Sequence, residues 1–202
     1  MTDETEFTLF HVPNTQNDVV WIRKGDIITP REHVDHAPTI RVWAGASSVG
    51  RTKLYAYKGN MNGAKYRTIL DKALPGMNRI FKTAKVRRWT FQQDGATPHS
   101  AALTTKWLLE NVPAFISCGP KGEWPANSPD LNWMENIWSI MQDKVNLPKP
   151  PSTVSGLERK IKRVWNSLAA KTFLDCALGM RKRLEEVITT HGEALKLQLH
   201  SY

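Results

Sequence analysis

The spacing of apolar residues changes along this chain of 202 residues, and the change limits the folds that it can adopt. In the first half, apolar residues form short runs rich in β-branched and aromatic members, which is typical of strands. In the second half they recur every three or four residues, the period of an amphipathic helix. The order is a β-rich half, then helix, strand, helix, strand, helix and a helical tail. This order predicts an α/β fold, a mixed β-sheet flanked by helices.

The β-rich half is expected to form a small antiparallel sheet of about three strands. Its apolar runs are at residues 7–10, 19–22 and 39–59, and the last contains a hairpin signal at residues 47–50. Residues 59–74 have helical spacing, and Pro75-Gly76 is expected to end that helix. A further β-prone segment, residues 88–93, leads directly into a turn that begins at Asp94. The pattern therefore places an aspartate at the end of a strand.

The most regular helical pattern begins after Pro129. Its apolar residues step by three, four, three and four positions along one stripe: Leu131, Met134, Trp138, Met141 and Val145. Asp130 is expected to cap this helix or to lie in its first turn, where the helix dipole favours negative charge. Asn132 is expected to be a structural residue of that turn. Glu135 lies on the flank of the stripe, so an acid is predicted beside buried apolar residues.

Composition restricts the partners of the chain. Its 28 Lys and Arg residues against 19 Asp and Glu give a net charge of +9, which favours a polyanion such as nucleic acid. Basic clusters at residues 85–88, 159–163 and 181–183 could contact phosphates or could be solvated faces. The two cysteines form no CxxC pair, so neither a zinc site nor a disulfide framework is indicated. No apolar run approaches the ~18 residues of a membrane span.

Three carboxylates are candidates for chemistry because of where they fall: Asp3 beside the first strand, Asp94 at a strand end, and Glu135 in the helix. Phosphoryl transfer on nucleic acid uses oxygen ligands to hold two cations about 4 Å apart. The alternative is that these three are ordinary solvated acids. The segment REHVDH also has metal-ligand residue types in His33, Asp35 and His36, but a polar loop is the preferred interpretation there.

Four segments resemble the catalytic domain of Tc/mariner-like transposases, over about residues 2–145: TDETEFTLF, VWAGASSVGRTKLYAYKGNMNGAKY, FQQDGATPHSA and WPANSPDLNWMENIW. The resemblance implies an RNase H-like fold whose DDE triad falls on Asp3, Asp94 and Glu135. It implies two Mg²⁺ or Mn²⁺ ions held by those residues, with metal-dependent DNA strand cleavage and strand transfer. It also implies transposon-end and target DNA as partners, a homodimer for the full-length protein, a nuclear location and no membrane association.

Under this resemblance, residues 1–147 form the catalytic domain and residues 148–202 a helical C-terminal extension. Only Met1 and Thr2 precede Asp3, so the first strand is expected to be truncated at its N-terminus. The helix-turn-helix module that relatives carry ahead of the catalytic domain is not found in the sequence.

Six residues are candidate DNA contacts: His99, Arg87, Arg88, Lys160, Lys162 and Arg163. His99 could instead brace its loop, and an ordinary loop or helix-start histidine is the preferred interpretation. Two other functions stay open at this point. One is a catalytically inactive transposase remnant that only binds nucleic acid, and the other is an RNase H-like nuclease that cuts RNA in hybrids.

Overall fold

A computed structural model describes residues 1–9, 37–125, 128–147 and 149–193 of the chain. The apolar run at residues 19–22 and the segment REHVDH therefore lie outside the described residues. The described strands are β1 (Thr2–Thr8), β2 (Thr39–Ser47), β3 (Gly50–Arg51) and β4 (Tyr55–Tyr57). The described helices are α1 (Gly63–Thr83), α2 (Thr97–Ser100), α3 (Ala102–Asn111), α4 (Met134–Asn146), α5 (Val154–Ser167) and α6 (Ala170–Thr189). None of them is long and apolar enough to cross a membrane.

Strand β2 is the centre of the sheet. It pairs antiparallel with β1, from Thr2 opposite Gly45 to Thr8 opposite Thr39, and its other edge pairs with β4. The predicted hairpin is confirmed, because Ser47 pairs with Gly50 where β2 meets β3.

On the other edge of β1, the backbone N–H of Thr2 donates to Gln92 at 2.9 Å. Phe91 in turn forms a parallel bridge with Phe115. The predicted β-prone segment, residues 88–93, and the chain around Phe115 are thus extended and share a single bridge. This brings Asp94 to the edge of the sheet next to the start of β1.

Helices pack on both faces of the sheet because neighbouring residues of β2 point in opposite directions. Trp43 lies in a buried cluster with residues of α1 and α3. Val42 and Ala44, one position to each side, lie in a second cluster with residues of α4, α5 and α6. The predicted mixed sheet flanked by helices is therefore confirmed. Trp165 and Phe173, from the predicted C-terminal extension, belong to this second cluster together with α4.

Helix α1 does not end where the sequence indicated. It begins after Asn62, whose side chain accepts from the backbone N–H of Lys65, and it continues through Pro75 as far as Thr83. A proline inside a helix costs about 3 kcal/mol, because it removes one hydrogen bond and its ring crowds the preceding turn. Ala73 and Met77, on either side of Pro75, are both buried against the sheet. Their burial offsets that cost and keeps the segment helical.

Replacing Pro75 with alanine is expected to raise the free energy of unfolding by about 1–2 kcal/mol. Pro75 is exposed, so the change restores a helical hydrogen bond without disturbing the core. Part of the gain is lost because the unfolded chain becomes more flexible. Urea unfolding of both proteins measures the difference. An unchanged or lower stability would show that the helix is not continuous at this point.

Candidate active site

Asp3 is a buried carboxylate on β1, with only 6% of its surface exposed. It lies on the face of the sheet that α4 covers, and the indole N–H of Trp138 donates to its Oδ2 at 3.0 Å. Burial, followed by the negative charges of Glu135 and Glu4, raises the pKa of Asp3 to about 8. In this environment Asp3 is protonated at neutral pH unless a cation compensates its charge.

Asp94 and Glu135 line the same open cavity, about 320 Å³ in volume, together with residues that include Trp124, Pro129 and Asn132. Asp94 comes directly after the extended segment beside β1, whereas Glu135 lies in the first turn of α4. Burial and then the charge of Asp94 raise the pKa of Glu135. The charge of Asp94 also contributes to the raised pKa of Asp3. The three predicted acids therefore interact electrostatically across three neighbouring elements.

The stripe of α4 is confirmed, and its start is corrected. Met134, Trp138, Met141 and Val145 are buried as predicted. The expected cap is wrong, because Asp130 lies in a separate 3₁₀ turn, Pro129–Leu131, and α4 begins only at Met134. Asn132, between the two, accepts from the backbone N–H of Met134 at 3.1 Å. Because the 3₁₀ turn ends before α4 begins, Glu135 lies in the first turn of α4, where it lines the cavity.

His99 connects Asp94 to a fourth acid. Its Nδ1 is hydrogen-bonded to Oδ1 of Asp94, and its Nε2 lies 3.1 Å from Oε1 of Glu4. Burial lowers the pKa of His99, but the hydrogen bonds and charges of the two carboxylates outweigh burial and raise it to about 10. Burial likewise raises the pKa of Asp94, and the hydrogen bond and charge of His99 bring it below its ordinary value. His99 is thus an imidazolium between two carboxylates.

The position of His99 corrects its prediction as a DNA contact. Only 3% of its surface is exposed, and both ring nitrogens already have partners. The alternative interpretation, a histidine that braces its loop, agrees with this geometry. Sequence reasoning missed Glu4 altogether. The alternation of a strand was the available signal, since it puts Glu4 on the opposite face of β1 from Asp3.

Arg183 of α6 holds the chain around Glu135. Its Nη1 donates to the backbone carbonyl of Asp130 at 2.7 Å, and its Nη2 donates to Oδ1 of Asn136 at 2.6 Å. The first bond fixes the 3₁₀ turn, and the second fixes the residue that follows Glu135. The sequence had placed Arg183 in a basic cluster that could contact phosphates, but its guanidinium is engaged inside the protein.

Replacing Arg183 with methionine is expected to lower the free energy of unfolding by about 1–3 kcal/mol. Methionine keeps an unbranched apolar side chain but leaves the Asp130 carbonyl and the Asn136 amide without this donor. The matched control is Arg181→Met on the same helix. Arg181 is 87% exposed and, within the described part of the chain, pairs with Glu185 alone, so its loss should change stability by less than about 0.5 kcal/mol. Equal effects in urea unfolding would contradict a bracing role for Arg183.

The other predicted DNA contacts are on the surface. Arg87, Arg88 and Arg163 are exposed and form no ion pair with any described residue. Lys162 pairs with Glu158 at 2.6 Å, and Lys160 donates to the backbone carbonyls of Leu147 and Lys149. The three arginines therefore have free cationic groups within the described structure, whereas the two lysines already have partners in the protein.

The acids suit a divalent cation by their chemistry. Asp3, Asp94 and Glu135 supply carboxylate oxygens, the ligands that Mg²⁺ and Mn²⁺ prefer. A bound cation would reduce the repulsion between these carboxylates. No group of three or more His, Cys, Asp or Glu side chains within the described ranges is already arranged as a metal site. The three carboxylates thus fit a divalent cation by their chemistry, but their side chains are not gathered around a common point.

Comparison with known proteins gives one consistent group. No protein-family model matches the chain. The Tc3 transposase of Caenorhabditis elegans is 29% identical over 159 residues, which cover 78% of this chain and 45% of the relative. The Tcb1 transposase of Caenorhabditis briggsae is 25% identical, over 96% of this chain and 68% of the relative. The chain thus spans between about half and two thirds of the length of these relatives.

Solved structures of the Mos1 mariner transposase have the same fold. A pre-cleavage Mos1 transpososome superposes with a TM-score of 0.77 at 13% identity, over 96% of this chain and 56% of the other. The Mos1 paired-end complex with Mn gives a TM-score of 0.73 at 15% identity, again over 96% of this chain and 56% of the other. The isolated Mos1 catalytic domain gives 0.61 at 15% identity, over 78% of this chain and 76% of the other.

The sheet and the helices on its two faces form an RNase H-like fold, which the Mos1 catalytic domain shares. The curated relatives are all transposases of Tc-type elements, and the solved structures are of a mariner transposase. In sequence the chain is similar to these Tc-type transposases, and its fold is that of the solved Mos1 mariner transposase structures.

Proposed function

We propose that this chain is the catalytic part of a transposase that cuts DNA and joins the cut strand to a target. The observation that carries the proposal is the electrostatic coupling of Asp3, Asp94 and Glu135, which come from three separate elements. Acids that repel one another, two of which line the same cavity, cost stability in the metal-free protein, and this favours a role in binding a cation. The transposase relatives support the reaction class.

Asp3, Asp94 and Glu135 would hold two Mg²⁺ or Mn²⁺ ions. Such ions, when bound, activate the attacking oxygen and stabilise the charge that develops on the phosphate. Solved Mos1 structures with Mn and with Mg support this choice of metal. The protein itself positions the ligands. The indole of Trp138 orients Asp3, and Asn132 defines the start of α4. Arg183 holds the backbone carbonyl of Asp130 before Glu135 and the side chain of Asn136 after it.

DNA would lie over the cavity between Asp94 and Glu135. The net charge of +9 favours a polyanion, and Arg87, Arg88 and Arg163 offer exposed cationic groups for its phosphates. Mos1 has been solved in complexes with transposon ends, which supports transposon-end and target DNA as the partners here. The nuclear location and the homodimer of the full-length protein, implied by the sequence resemblance, are part of the same proposal.

The experiment is a nicking assay on supercoiled plasmid with Mn²⁺, with Mg²⁺ and with EDTA, using the full 202-residue chain. We expect nicking with either metal and none with EDTA. A labelled duplex DNA and an RNA–DNA hybrid, compared in the same reaction, separate a transposase from an RNase H-like nuclease. Cleavage restricted to the RNA strand would contradict the proposal. Binding of duplex DNA without cleavage under every metal condition would instead indicate an inactive remnant.

A further inference from the structure

A chain of hydrogen-bonded side chains links strand β1 to Asp94 in the candidate active site. Glu4 on β1 bonds to Nε2 of His99, and Nδ1 of the same ring bonds to Oδ1 of Asp94. Glu4 and His99 are separated by 95 positions in the sequence, so only the fold brings them together. The side chain of Glu4 is 18% exposed and that of Asp94 is 44% exposed. The connection thus runs from a mostly covered acid to one that faces the cavity.

The ring of His99 has little freedom to move. It packs against Tyr66 with ring centroids 4.2 Å apart. Gln93 donates from Nε2 to the backbone carbonyl of His99 at 3.1 Å, and its Oε1 accepts from the Tyr66 hydroxyl at 2.7 Å. Because ring and backbone are both held, the direction in which Nδ1 faces Asp94 is determined by the surrounding protein.

Asp94 divides its two oxygens between different tasks. Its Oδ1 takes the hydrogen bond from His99 and a second from the backbone N–H of Ala96 at 3.0 Å. Its Oδ2 accepts no hydrogen bond from the described residues and is left for a ligand in the cavity that Asp94 lines. The carboxylate of Glu4 also compensates the positive charge of His99. Without that compensation, the imidazolium would repel a cation bound at Asp94.

We propose that Glu4 is a positioning residue that acts through His99 on Asp94, and that it thereby sets the affinity of the site for a divalent cation. This inference rests on the proposed function, in which Asp94 is a metal ligand. Partners behind a ligand orient it, and replacing such a partner commonly lowers metal affinity by about 10–100-fold. Glu4 does not line the cavity. Its charge also acts directly on Asp3, and the proposed effect on Asp94 is the part that passes through the imidazole.

The test measures Mn²⁺ binding by electron paramagnetic resonance of the free ion, without DNA and without turnover. We expect Glu4→Gln to weaken Mn²⁺ binding by about tenfold or more. The matched control is Glu6→Gln, which removes the same charge two positions along β1. Glu6 is 57% exposed and, among the residues that the structure describes, forms an ion pair with Arg41 alone, so its loss should change the affinity by less than about twofold. Thermal melting of each metal-free protein verifies that the variants are folded.

A double-mutant cycle tests the route through the histidine. His99→Asn keeps a donor near Asp94 but cannot reach Glu4. In that background Glu4→Gln should have little further effect on Mn²⁺ affinity, because coupled residues are not additive. A full loss of affinity from Glu4→Gln in the His99→Asn background would overturn the inference. So would equal or tighter Mn²⁺ binding by Glu4→Gln in the wild-type background.

The failure of the proposed function has a different signature. A wild-type protein that binds no Mn²⁺, or an Asp94→Asn variant that binds it as tightly as wild type, would remove Asp94 as a ligand. Either result would overturn the proposed function and this inference together. Wild-type binding that Asp94→Asn abolishes and Glu4→Gln leaves unchanged would overturn the inference alone.

Discussion

Replacing Asp94 with asparagine or Glu135 with glutamine is expected to lower the rate of metal-dependent DNA cleavage by about 10³-fold or more. Each change keeps the size of the side chain and removes the negative charge. The two acids line one cavity, and the charge of Asp94 already raises the pKa of Glu135. In the proposed site each change takes away a cation ligand. Glu135→Gln also relieves repulsion in the metal-free protein, so its activity should fall without a loss of stability. Asp94→Asn removes the charge that pairs with His99, so its activity should fall together with a loss of stability.

The nicking assay with Mn²⁺ measures this effect, together with thermal melting of each variant. Asp143→Asn is the matched control, because Asp143 is an exposed acid on the same helix as Glu135. It should cleave DNA at the wild-type rate. If Asp94→Asn and Glu135→Gln cleave as fast as Asp143→Asn, these acids are not metal ligands in the reaction.

Asp3→Asn is expected to stabilise the metal-free protein at pH 8 by about 3–6 kcal/mol while abolishing activity. Burial and neighbouring acids raise the pKa of Asp3 from 3.8 in the unfolded chain to about 8 in the fold. Between those two pH values unfolding releases a proton, so rising pH favours the unfolded state. The contribution of Asp3 to stability therefore falls from about pH 4 to about pH 8. Asparagine has no such proton and keeps an acceptor for Trp138.

Urea unfolding in EDTA, from about pH 5 to about pH 9, measures this difference between wild type and Asp3→Asn. The raised pKa of His99, about 10, adds stability that is complete below about pH 6.5 and is lost as the pH rises toward 10. Both proteins contain His99, so its contribution largely cancels in the difference. Parallel profiles for wild type and Asp3→Asn would show that Asp3 is not held protonated by its surroundings.

Because protonation of Asp3 is linked to folding, the single change Asp3→Asn is expected both to stabilise the protein and to abolish its activity. A carboxylate that must lose a proton before it binds a cation makes metal affinity depend on pH. Asp3 is the most buried of the three acids, and its ionisation is disfavoured until a cation is present. Under the proposed function, stability is thus given up at a position that supplies a metal ligand, as is common at functional sites.

Much of the fold followed from local patterns in the sequence. The hairpin at residues 47–50, the buried stripe of α4 and the mixed sheet flanked by helices were all predicted and are confirmed. These features depend on periodicity and turn chemistry, which neighbouring residues determine. The end of α1 was misjudged because local rules treat Pro75 as a stop, whereas burial of Ala73 and Met77 decides the outcome.

The sequence by itself determined the order of strands and helices. It also contains the motifs that predict Asp3, Asp94 and Glu135 as a catalytic triad. Only the tertiary structure decided what surrounds them. Trp138 reaches Asp3 across 135 positions of sequence, Glu4 reaches His99 across 95, and Arg183 reaches Asn136 across 47. Hydrogen bonds over such separations leave no periodic trace in the chain. They depend on how helices pack on the two faces of the sheet, and that packing is decided only when the whole core forms.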